Sequence, residues 1–101
     1  MAGSVSGKVE FFCTIKRDVG GGVMHTIFYA KFYGTVSGTQ PDGCTPGLFG
    51  VDLADPNSRG HYDTIRGAAF AKLPCIVTGD GVLTLGHPSE AINNAQVNFP
   101  A

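Results

Sequence analysis

Glycine and proline constrain this chain more than any other feature. Fifteen Gly and six Pro exceed a fifth of the 101 residues, and they punctuate short apolar runs instead of gathering in one linker. Such spacing favours strands joined by tight turns over long helices. The length suits one compact domain, with residues 1–7 expected to form a flexible leader.

Between the breaks, the apolar pattern has the period of a strand. From Lys8 to Lys16, Val9, Phe11, Cys13 and Ile15 alternate with Glu10, Phe12, Thr14 and Lys16, which predicts a half-buried strand. Asp18 and Gly20-Gly21-Gly22 then predict a hairpin into a second strand, Val23 to Val36. That strand carries Met24, Phe28 and Phe32 on one face and Ile27, Tyr29 and Tyr33 on the other, so burial on both sides is expected. Ser37 to Gly47 is dense in turn formers and reads as an exposed loop holding Cys44. Leu48 to Leu53 resumes a strand.

One helix is expected, from Arg59 to Lys72. Asp55-Pro56-Asn57-Ser58 supplies the signals of a helix start, and Tyr62, Ile65, Ala69 and Leu73 follow at steps of three and four, with Phe70 beside them. Pro74 ends it. Cys75 to Thr78 and Val82 to Leu85 flank Gly79-Asp80-Gly81, which reads as a hairpin turn. Gly86 to Glu90 turns the chain again, with His87 read as a solvent-exposed turn residue, and Ala95 to Phe99 closes the series.

These elements predict a mainly β (α+β) fold. The first choice is a small five- to six-stranded antiparallel OB-like barrel with one helix between the third and fourth strands. The alternative is an open antiparallel sheet with one helix packed on a face. In element order the chain resembles the small barrels of the bacterial five-fold toxin B subunits, and that resemblance implies pentameric assembly and glycan binding. It carries over no residue.

Charge narrows the partners. Seven Lys and Arg against eight Asp and Glu give a formal charge of −1, which argues against duplex DNA, whose binders cluster cations to neutralise phosphates. No apolar run is long enough for a membrane span. The start lacks a secretory signal, so the expected place is the cytoplasm or, for a mature chain, outside the cell. Cys13, Cys44 and Cys75 stand far apart without a C-x-x-C, so at most one internal disulfide can form and no zinc knuckle is signalled. No cofactor is implied.

Three function classes follow. In the leading one, a non-enzymatic binding or assembly module forms a homo-oligomer through its aromatic sheet face. Tyr29, Lys31, Tyr33 and Cys44 are then the candidate contacts to a small-molecule or glycan ligand. In the second, a small enzyme uses His61 with Asp63 or Cys75, as general base and nucleophile; the plainer reading of those residues is a solvated helix face and a buried thiol. In the third, the aromatics around Lys31 stack the bases of single-stranded nucleic acid. His25, His61 and His87 lack metal-ligand spacing, so no metal site is expected.

Overall fold

The computed structural model describes residues 2–99. The chain runs β1 (Gly3–Gly7), β2 (Val9–Asp18), β3 (Met24–Phe32), β4 (Ser37–Gly38), β5 (Leu48–Asp52), α1 (Arg59–Ala71), β6 (Cys75–Thr84) and β7 (His87–Val97). It is mainly β with one helix. All seven strands belong to a single sheet in the order β2-β3-β5-β7-β6-β1-β4.

That sheet does not close on itself, since β2 and β4 stand at its two ends. Nor is it wholly antiparallel as expected, because β5 and β7 run parallel. The chain between β5 and β7 is long enough to allow this: it contains α1 and all of β6, as a parallel connection requires. The helix follows the fifth strand in chain order, not the third, because the first ribbon is divided at Lys8 and β4 is a two-residue addition.

The hairpin of β2 and β3 forms where the sequence places it. Gly20, Gly21 and Gly22 all take positive φ, and the Val19 N–H donates to the Val23 carbonyl at 2.9 Å. Two-sided burial of β3 is confined to its middle. Phe28, Ala30 and Phe32 enter the main core, while Ile27 is fully covered on the other face; Met24 and Tyr33, at the ends, are exposed. Gly34 and the turn after it cut short the strand expected to reach Val36.

The core joins Phe28, Phe32, Phe49 and Val51 to Val5, Val77, Cys75 and Ile92, with Ile65 and Ala68 of α1 laid over them. Tyr62 packs edge-on against Phe28, with ring centroids 4.8 Å apart. Phe70, on the helix flank, is 70% exposed. Full burial of a Phe stabilises by about 1.5–3 kcal/mol, so Phe28, Phe32 and Phe49 anchor the helix and sheet together.

Three expectations need correction. Met1 lies outside the described residues, but Gly3–Gly7 is no flexible leader: it pairs with β6 as β1. Gly79-Asp80-Gly81 is not a turn, because it lies within β6; the reversal occurs at Leu85 and Gly86, both at positive φ. His87 is not exposed, being 7% accessible at the start of β7. All three differences trace to one group of buried polar side chains.

Candidate functional site

Glu90 is fully buried. Its carboxyl accepts the Gly3 N–H at 3.1 and 3.2 Å and the Gly81 N–H at 2.8 Å, tying β1, β6 and β7 together. A Cβ at Gly79 would coincide with that carboxyl. Gly79 is therefore small to admit a side chain, not to bend a turn. Where Gly79 and Gly81 sit over Glu90, the pairing of β6 with β7 slips out of register.

Beside it lies a second polar chain. His87 Nδ1 is 2.9 Å from Ser89 Oγ, the Ser89 hydroxyl donates to Thr84 Oγ1 at 3.1 Å, and the Thr84 hydroxyl donates to the Ser89 carbonyl at 3.1 Å. With the single Ser89 proton committed to Thr84, His87 Nδ1 carries the proton of its own bond. This polarity is the reverse of an activated serine, whose hydroxyl must donate to the imidazole. Ser89 is also fully buried. The trio closes the sheet interior, and burial, aided by the Arg17 charge, lowers the His87 pKa below its ordinary value.

On the far side of His87 lies the accessible surface. Tyr29 stacks on the His87 ring with centroids 4.5 Å apart, and cross-strand pairing sets Tyr29 beside Cys13, Lys31 beside Phe11 and Ile27 beside Ile15. Phe11 and Ile15 are 42% and 43% exposed. Lys31 forms an ion pair with Glu10 at 2.8 Å, and Arg17 Nε donates to the Leu85 carbonyl at 3.2 Å. A hydrogen bond with Cys13, then burial, raises the Tyr29 pKa. This apolar strip edged by cations is the candidate binding surface.

The remaining candidates are dispersed. Tyr33 is exposed beyond the end of β3, where its N–H donates to the Lys8 carbonyl at 2.8 Å. Cys44 is half-buried, its thiol directed at the Thr45 and Leu48 carbonyls at 3.3 and 3.5 Å. Burial chiefly raises its pKa. His61 and Asp63 ride on the first turns of α1, with His61 half-buried and Asp63 exposed. Cys75 opens β6 inside the core, where burial raises its pKa as well. Among the described residues no side-chain hydrogen bond joins His61, Asp63 and Cys75, and all three cysteines are free thiols.

Sequence reasoning passed over one further pair. His25 Nδ1 lies 3.0 Å from Asp52 Oδ2 across β3 and β5, both side chains partly exposed. This is the geometry of an oriented imidazole, and it opens on a recess of about 360 Å³ lined by Met24, Leu53 and Arg59. Among the described residues no serine or cysteine hydrogen-bonds to His25. A larger groove of about 540 Å³ runs between α1 and the end of β7, lined by Gly67, Ala95, Val97 and Phe99. No group of three or more metal-ligating side chains gathers among the described residues. No helix there is long and apolar enough to cross a membrane.

Comparison of the chain with protein-family models, with curated proteins and with solved structures gave no match.

Proposed function

We propose that this chain is a non-enzymatic binding and assembly module, an OB-like barrel that associates with copies of itself through the surface of β2 and β3. Support for the barrel comes from the chain path. Only Lys8 separates β1, which pairs with β6, from β2, which pairs with β3 at the far end of the strand order. One bent ribbon thus pairs at one end of the sheet and near the other, where only the two-residue β4 lies beyond β1. Gly7 makes the bend possible, since a Cβ there would coincide with the Tyr33 carbonyl. A parallel pairing of β5 with β7 and a helix between β5 and β6 suit a partly open five-stranded OB design.

The observation that carries self-association is the exposure of β2. Phe11, Phe12 and Ile15 are 36–43% accessible on a strand with hardly a covered residue, and apolar surface of this kind marks contact with a partner. Sedimentation across a range of concentrations tests it: a reversible oligomer is expected, and a monomer throughout would refute it.

A second reading, a binder of single-stranded nucleic acid, is favoured by where the cations lie. Lys8, Lys16, Arg17 and Lys31, four of the seven Lys and Arg, fall on or beside β2 and β3, and Arg17 and Lys31 share the sheet face of Phe11 and Tyr29. Stacking aromatics beside cations is the arrangement single strands use. It predicts oligonucleotide binding that weakens with salt, and no retention at low salt removes it. The small-enzyme alternative rests on His61, Asp63 and Cys75, and no hydrogen-bonded constellation supports it.

A further inference from the structure

We infer that β2 pairs antiparallel with β2 of a second copy, about a two-fold axis passing through Cys13, so that two sheets fuse into one. This rests on the self-association reading and specifies it as a backbone edge contact, not a stacking of faces. β2 stands at the end of the strand order, with β3 on one side and, among the described residues, no strand on the other. In an antiparallel pair every second residue turns its N–H and C=O away from its neighbour, so β2 presents an open row of donors and acceptors. Proteins usually shorten, cover or charge such edges. The opposite edge is short, since β4 has two residues. β2 has ten, lacks Pro, and carries no charge from Phe11 to Ile15.

Symmetry fixes which residues meet. A two-fold axis normal to the sheet keeps each side chain on its own face, so odd positions pair with odd and even with even. Regular alternation in β2 runs from Phe11 to Asp18, because a bulge between Val9 and Phe11 interrupts it. Within that stretch, centring the axis on Cys13 sets Phe11 against Ile15 twice and Phe12 against Thr14 twice. Centring it on Thr14 sets Phe11 against Arg17 and Phe12 against Lys16, apolar against cation, and centring it on Phe12 leaves Ile15 opposite Val9, beyond the bulge. Of these three registers only the one at Cys13 joins the exposed Phe11 to the exposed Ile15, and apolar cross-strand pairs of this kind stabilise a ladder, which makes a second copy the fitting occupant of this edge.

That register places the two Cys13 residues directly opposite, with Cα atoms about 4.5–5.5 Å apart. A disulfide spans about 4.4–6.8 Å, whereas the next allowed register separates them diagonally by about 7–8 Å. The test uses the full chain with Cys44→Ser, leaving Cys75 buried, and diamide as oxidant, which takes two protons and two electrons from a thiol pair. A disulfide-linked dimer is expected in high yield, together with a much lower yield from Cys13→Ser/Thr14→Cys in the same background. Separately, Ile15→Lys, on an exposed side chain, is expected to give a folded monomer, and adding Phe11→Glu to restore the dimer by opposite charge. An oligomer that neither cross-links at Cys13 nor responds to Ile15→Lys overturns the edge pairing and leaves self-association standing. A native monomer overturns both.

Discussion

Replacing Gly79 by alanine tests the reading of the Glu90 cradle. Gly79 does not take positive φ, so its backbone accepts alanine, and any loss must come from the added methyl. That methyl would coincide with the Glu90 carboxyl. Displacing the carboxyl breaks its bonds to the N–H groups of Gly3 and Gly81. Each N–H left unsatisfied costs about 1–3 kcal/mol, so the pair predicts a loss of about 2–6 kcal/mol. Small domains lose about 4–8 °C of Tm per kcal/mol, so a fall of about 8 °C or more is expected. Glu90→Ala strands the same two N–H groups and should lose a similar amount. In the double variant the methyl at position 79 has room, so its stability should approach that of Glu90→Ala alone, with a coupling of about 2 kcal/mol or more. Urea denaturation of the four proteins measures this. Additive losses would refute the claim that Gly79 is small on account of Glu90.

Two further outcomes follow from the buried groups. Because the folded pKa of His87 lies below its unfolded value of 6.5, the unfolded chain binds more protons. The His87 contribution is therefore fully present above 6.5 and is lost as pH falls through the folded value. Urea midpoints at pH 7.5 and 5.5 should differ in the parent and differ less in His87→Gln; an equal difference in both would assign the loss to other groups. Native protein should react with a thiol-alkylating reagent at exposed Cys13 and be protected at Cys75, whose thiol burial disfavours as the thiolate. Peptide mapping reads the two sites, and rapid native labelling of Cys75 would contradict its placement in the core.

Particular residues show how far the sequence could be read. The strand-like sequence from Val9 to Ile15, the glycine triplet and the steps of α1 report local geometry, so β2, its hairpin and the helix from Arg59 were legible as elements. The half-burial expected of β2 is not found, because Phe11, Cys13 and Ile15 are exposed on a strand at the end of the sheet, and a bulge between Val9 and Phe11 interrupts the alternation. Gly79 to Gly81 was misread for a physical reason. A glycine signals a turn because it lacks a side chain, but the same lack can make room for another residue's carboxyl, and Glu90 follows far enough along the chain to hide that purpose. His87 was read as exposed, and Ser89 and Glu90 as part of a turn, for a related reason. Polar residues are buried when partners await them, and here those partners are backbone N–H groups of β1 and β6 and the Thr84 hydroxyl. Tyr29 was placed correctly on a sheet face, but nothing in the alternation revealed that His87 would cover its ring.

The bond from Gly3 to Glu90 spans 87 positions. During synthesis the ribosome releases the β1 segment early, yet its carboxyl partner emerges only about 4–17 s later at ordinary elongation rates. For that interval the first ribbon has no final anchor, while its greasy outer strand is already available to neighbouring nascent chains. Long-range closure of this kind slows folding, so crowding on polysomes should decide whether early copies meet before each has finished its own interior.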